Sequence, residues 1–494
     1  MCKCLLLLLA CFAAEAAVIK GNVVENQTGK ALARTLISIR PVPGGAGPTG
    51  TTRTNIYGMF EFSNLPAGAY LIHSARRGFR MVQYGQKSWR GAGVPVVLEQ
   101  EQSTFLTIRM PRFASISGVV VDENDVGLPE HEVVAMSNTR PPRMMARAQA
   151  DDRGVYRLTG LDPGTYLVRT VGRTYEDGGY LPTFYRETQR VDEAGMVDAL
   201  LDDETGNIRV RPIPGRLFNI SGVVNQLVTL TLVSDVGRET QQVAGAFQFP
   251  NKPPGPYELF AESVGDRGVP LGAYIPISLE RDTTVRVPLL PRAGVRFDFR
   301  TTQGGQMQDA SGMQVLARRV DLAGEAPPET VRLVNGNASF IQGRWQFKLA
   351  PSAAYVAADF RGPKGERPES NRADGWNEVA ITNPCGLWYV ISDKPGEVHG
   401  TVTLGASDPA VGAPVFLEAF DEITHKRVVE LRATRTDLRG KYTFAGLAPG
   451  TYRVVSTFEY EAPDVRELDS MSPKVVKVEE ARDQQLDLSL FVIR

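Results

Sequence analysis

Asp151-Asp152-Arg153-Gly154-Val155-Tyr156-Arg157-Leu158-Thr159-Gly160-Leu161-Asp162-Pro163-Gly164-Thr165-Tyr166 is the stretch that decides the fold. An Asp three residues before a Gly is turn chemistry: the carboxylate accepts from its own following backbone, and Gly takes positive φ without steric cost. Tyr156 and Leu158 alternate onto one face of a strand. The Pro163-Gly164 pair breaks that strand and sets a second turn. Tyr166-Leu167-Val168 then opens the returning strand. The stretch reads as a β-hairpin with an aromatic core face.

The pattern recurs. Asn55-Ile56-Tyr57-Gly58 is followed by Phe60, Phe62, Leu65-Pro66, Gly68 and Tyr70, and Asp437-Leu438-Arg439-Gly440 by Tyr442, Phe444, Leu447, Pro449-Gly450 and Tyr452. In all three copies the turn Gly and the final Tyr are 12 residues apart (58 to 70, 154 to 166, 440 to 452). Two weaker copies share the spacing. Gly245 precedes Phe247, Phe249, Gly255 and Tyr257; Gly343 precedes Trp345, Phe347, Pro351 and Tyr355, with Ala353 where the others have Gly. A fixed repeat of this length marks a modular array.

Opening strands precede the hairpins at Gly21-Asn22-Val23-Val24, Gly118-Val119-Val120-Val121, Gly222-Val223-Val224 and Gly400-Thr401-Val402. Closing strands alternate with period two, as in Phe105-Leu106-Thr107-Ile108 and Leu486-Asp487-Leu488-Ser489-Leu490. About seven short strands per hundred residues describe a Greek-key sandwich. The expected fold is all-β: about five tandem Ig-like or prealbumin-like β-sandwich modules. The expected boundaries are 18–111, 112–214, 215–291 (compressed), 292–395 (divergent) and 396–494, after a leader at 1–17. The Gly-Val-Val opening and the Asp/Asn-x-x-Gly hairpin resemble the bacterial carboxypeptidase regulatory-like family, also called transthyretin-like, prealbumin-like or starch-binding-like. The resemblance implies this sandwich fold and an accessory role, since the motif consists of turn and core residues.

Composition agrees. The chain has 494 residues, too many for one core, with 48 Gly and 33 Pro spread throughout. A net charge of −1 gives no electrostatic case for nucleic acid. Lys3, the apolar run Leu5 to Ala14 and Ala14-Glu15-Ala16 read as an export signal too short to span a membrane. A second reading takes Leu8-Leu9-Ala10-Cys11 as a lipoprotein signal anchored at Cys11, and a third takes the run as an ordinary N-terminal strand. The expected location is periplasmic or extracellular. Past the leader only Cys385 remains, so no internal disulfide forms; it reads as a buried, small apolar residue.

Catalytic signatures fail one by one. The residues three places after His73, His131, His399 and His425 are Arg76, Val134, Val402 and Val428, so no metallocarboxypeptidase pair exists. His131-Glu132 begins a His-Glu-x-x-His pattern, but Ala135 fills the last place. Asp122 to Gly127 lacks the calcium-loop spacing and reads as a solvated turn. Lys20 has no Asn or Asp on the closing strand for an isopeptide bond. No catalytic residue, metal ligand or cofactor is expected.

Loop aromatics remain: Tyr84, Trp89, Tyr180, Phe184, Tyr185 and Trp376. Flanked by Gly, Arg and Gln, they fit a surface on which sugar rings stack; they equally fit rings covering a sandwich edge or filling an inter-module joint. The expected function is a non-catalytic, exported modular protein that binds a glycan or a cell-envelope protein, or serves as a spacer. The alternative is an accessory subunit of a separately encoded peptidase, glycosidase or outer-membrane receptor.

Overall fold

The structure is a computed structural model that describes residues 17–139, 142–176, 178–265, 268–305, 313–320, 328–350, 352, 355–365, 375–420, 431–480 and 482–493. The leader with Cys11 and His425 lies outside the described residues, as do Pro351 and Ala353. The described chain is all-β apart from one short helix, Val465–Ser470, and it buries five principal apolar cores in chain order.

One wiring rule recurs in every module. The opening strand pairs antiparallel with the first strand of the hairpin and parallel with the closing strand. In the first module Ala17–Glu25 lies between Met59–Leu65 and Ser103–Met110. The second places Ala114–Val120 between Val155–Leu161 and Glu204–Val210. The fifth places Gly396–Leu404 between Lys441–Leu447 and the short strands Asp483–Gln485 and Leu488–Ser489. The returning hairpin strand belongs to the facing sheet, as Gly68–Ala75 does beside Leu36–Pro41. The hairpin therefore spans the two layers, which places its aromatics in the core.

Local chemistry fixes each turn. Asp151 Oδ1 accepts from the backbone N–H of Arg153 and Val155 at 2.9 and 2.8 Å. Asn55 does the same for Tyr57 and Met59, and Asp437 for Arg439 and Lys441. Gly58, Gly154 and Gly440 sit at φ 74°, 77° and 73°. At the second turn, the final Tyr hydroxyl donates to the carbonyl four residues back: Tyr70 to Pro66, Tyr166 to Asp162, Tyr257 to Pro253 and Tyr452 to Ala448, at 2.7–2.9 Å. This pins the crossover between layers.

The third module is compressed in a specific way. Phe218–Ser234 and Gly237–Lys252 are long continuous strands that merge the module into one six-stranded sheet. A register shift between Val224 and Val228 separates the segment beside Thr283–Arg286 from the segment beside Gly255–Val264.

The fourth copy is corrected. Gly343 does not occupy the turn position. It starts the returning strand Gly343–Leu349, which pairs with Val315–Arg319 as Gly68–Ala75 pairs with Leu36–Pro41. Gly343 has φ 153°, beside 158° at Gly164 and 148° at Gly255. Trp345 Nε1 donates to the Ile341 carbonyl at 2.9 Å, again four residues back. Trp345 thus stands where the other modules have the final Tyr, and the turn glycine is Gly336 at φ 77°. The hairpin is shorter, and the spacing from Gly343 to Tyr355 is coincidental. Cys385 is also corrected: it is half-buried against the fourth core rather than fully enclosed.

Candidate functional site

The modules contact one another in sequence. Arg80 pairs with Asp162 at 2.7 Å, and the Asn26 side-chain amide donates to Asp202 Oδ2 at 3.2 Å, joining the first module to the second. Val236 of the third packs on Val134, Met136, Leu167 and Phe184 of the second. Val233, Phe260 and Ile341 form a small core between third and fourth, with the Arg319 guanidinium 4.8 Å above the Phe260 ring. Ser392 Oγ donates to Glu480 Oε1 at 2.5 Å between fourth and fifth.

The first and fifth modules also meet, so the contacts close on themselves rather than running as an open string. The loop after Val82–Gln83 lies on the segment that leads into helix Val465–Ser470. Two backbone bonds stitch the seam: Ala92 N–H to the Phe458 carbonyl at 2.9 Å, and Glu461 N–H to the Arg90 carbonyl at 2.7 Å. Lys87 pairs with Glu459 at 2.7 Å and Arg90 with Glu467 at 2.8 Å. The Gln83 amide donates to Glu461. Arg435 donates to the carbonyls of Gly93 and Gly412 at 3.2 and 2.8 Å. Burial, opposed by Glu461, lowers Arg435 to about 10. Glu467 is placed by the helix start: Asp464 caps it and the Glu467 side chain returns to the Asp464 backbone. Behind the polar contacts, Val411 packs on Val42, Ala69 and Leu71.

The six loop aromatics do not converge on one surface. Trp89 belongs to the seam, with the Arg80 and Arg90 guanidinium carbons 5.2 and 5.6 Å from its ring centre. Tyr84 is half-buried against the first core. Phe184 is fully buried under Arg169, at the joint between second and third modules. Tyr180 is buried against Tyr175 and His131, and Tyr185 is half-buried on the same core. Trp376 is buried, with Arg318 4.4 Å from its ring centre. The exposure expected of a stacking platform is thus absent at Phe184, Tyr180 and Trp376, because each ring completes packing in its own module or joint. The sequence missed the seam residues Gln83, Lys87, Arg90, Glu459 and Glu467, which carry no local signature.

The histidines stay apart. His131 is buried, its Nδ1 2.9 Å from the Tyr175 hydroxyl and its Nε2 without a partner. Desolvation lowers it to about 4, with the Val171 backbone carbonyl favouring the protonated ring in opposition. His73 faces the seam; burial holds it below the ordinary value, aided by the Arg40 charge. Among the described residues no group of three or more His, Cys, Asp or Glu is placed to hold a metal ion. Asp122 Oδ1 accepts from Asn124 and Val126 at 2.8 Å as a turn residue, and Asp125 pairs with Arg209 and Arg211. Lys20 pairs with Glu61 at 3.5 Å on the surface. No described helix is long and apolar enough to cross a membrane.

No protein-family model and no curated protein matches the chain. Among solved structures, a streptococcal ancillary pilin aligns at 10% identity over 56% of this chain and 99% of its own, with a TM-score of 0.21. The shaft pilin SpaA from Lactobacillus rhamnosus GG aligns at 13% identity over 41% and 99%, with a TM-score of 0.25. A 3-chlorocatechol 1,2-dioxygenase from Rhodococcus opacus 1CP aligns at 13% over 20% and 60%, with a TM-score of 0.14. Likenesses of this size transfer no activity; the sandwich architecture rests on the strand pairings of the chain itself.

Proposed function

We propose that this chain is an exported, non-catalytic scaffold that holds its five sandwich modules, with the boundaries expected from sequence, in one fixed mutual arrangement. The supporting observation is the seam between first and fifth modules, where paired charges and backbone hydrogen bonds join loops that neither sandwich core needs. Loops carried on a rigid framework are where binding surfaces form. The ligand class is a glycan or a cell-envelope protein, and Tyr84, Trp89 and Tyr185 are the aromatics with partial exposure to meet it. Small-angle scattering tests the framework. Lys87→Glu with Arg90→Glu places like charges against Glu459 and Glu467, so the radius of gyration rises while the far-ultraviolet circular dichroism stays constant. An unchanged radius sinks the fixed arrangement. A glycan array with Trp89→Ala and Tyr185→Ala tests the sugar version, which fails where retention is unaltered.

A further inference from the structure

The joint between second and third modules forms an open cleft of about 400 Å³ that the scaffold role leaves without a purpose. Its wall on the second module carries Arg169, at the end of strand Gly164–Thr170. Phe184 lies beneath, its ring centre 5.3 Å from the guanidinium carbon. Arg169 Nε is buried and has no hydrogen-bond partner, and among the described residues no carboxylate stands within ion-pairing distance of the side chain. Elsewhere, Arg80, Arg90 and Arg435 each meet a carboxylate or a carbonyl at their joints. A guanidinium presents five donors in a planar fork, and in half-buried Arg169 the buried Nε–H faces no acceptor, which is costly to keep. Burial holds Arg169 below the ordinary guanidinium range, with Asp235 opposing at longer reach.

The remaining charges define what fits. On the third module Lys252 and Glu239 neutralise each other as an ion pair. Arg238 and Asp235 also line the cleft, and among the described residues neither forms an ion pair. Arg169 and Arg238 against Asp235 leave a net charge of about one positive unit. A singly charged anion matches that surplus, whereas Asp235 repels a second negative charge. A planar carboxylate also matches the fork geometry of a guanidinium bidentately. Gln189 at the rim adds a neutral donor and acceptor for groups beside the carboxylate.

We infer that the cleft between the second and third modules binds a small carboxylate, with Arg169 as the anchoring residue. This goes beyond the scaffold reading and does not depend on the seam. The carboxylate belongs to an acidic sugar or to a peptide C-terminus; both share the chemistry that the cleft recognises. Calorimetric titration of the full chain distinguishes them, using glucuronate and N-acetylglycine, with glucose and N-acetylglycinamide as uncharged counterparts. At least one acid binds, and neither neutral analogue does; the tighter acid names the source. Arg169→Met weakens binding tenfold or more. It also leaves the melting temperature of the free protein unchanged or higher, because it removes a buried donor that has no acceptor, whereas a purely structural arginine would lower it. Acids that fail to bind, neutral analogues that bind equally, or an Arg169→Met protein with unaltered affinity each overturn the assignment. The acid-against-amide comparison on the unaltered chain decides the matter even where the variant fails to fold.

Discussion

The Tyr156 hydroxyl crosses over Gly118 and donates to the Ile208 carbonyl at 2.7 Å. Tyr442 reaches Leu486 across Gly400 in the same way, at 2.6 Å. The opening glycine of the repeat is therefore a passage: hairpin aromatic and closing-strand carbonyl both occupy the space of a side chain. A Cβ on Gly118 would stand 1.7 Å from the Ile208 oxygen. Gly118→Ala should destabilise the second module by about 3 kcal/mol, since the Ile208 backbone cannot yield cheaply. Tyr156→Phe should cost about 1–2 kcal/mol through the carbonyl left without its donor. Urea unfolding followed by tyrosine fluorescence measures both.

Acid should weaken the fold through His131. Unfolded, it takes a proton as pH falls below about 6.5; folded, burial delays this to about 4. Between those values the unfolded chain binds more protons, so stability falls as pH falls, by on the order of 3 kcal/mol across the window. Denaturant titrations at pH 7 and pH 4.5 should show the loss, and His131→Leu should shrink the difference. An equal pH dependence in both proteins would contradict this account.

Glu418 and Arg453 form an enclosed pair on neighbouring strands of the fifth module, their side chains 4% and 9% exposed. Asp469 holds the same guanidinium at 3.0 Å, and the Phe420 ring centre lies 4.3 Å from it. Glu418→Ala leaves a buried cation short of its main partner and should cost about 3–5 kcal/mol. Glu418→Leu combined with Arg453→Met should cost much less, because no charge is then stranded. Thermal unfolding of the single and double variants decides between them.

The corrected fourth hairpin has its own test. Trp345→Phe removes the bond to the Ile341 carbonyl and should lower stability by about 1 kcal/mol. Tyr355→Phe, at the position that spacing alone selects, should change less. The opposite order, measured by denaturant midpoint, would restore the spacing-based alignment.

The hairpin was legible because its signals act within a few residues: Asp151 caps its own turn, and Tyr166 bonds the carbonyl of Asp162. The fourth copy misled because Gly343, Trp345 and Phe347 satisfy the alternation in either alignment, and Trp replaces the Tyr that would have marked the corner. The seam was illegible for a different reason. Lys87 and Glu459 are 372 residues apart, and each reads locally as an ordinary solvated charge. Loop aromatics such as Phe184 and Trp89 were visible as residues, but a ring suits a joint as well as a ligand, and only packing separates the two. Arg169 gave no signal, since its meaning lies in the partner it lacks.

In an open array of repeats, each terminal repeat has a single neighbour, and melting starts there. The contacts from Arg90 to Glu467 and from Val42 to Val411 give the first and fifth modules a further neighbour beyond the adjacent one in sequence. The first and fifth modules thus shield part of each other's surface. Unfolding of either module must therefore break this joint as well as the module's own sheets.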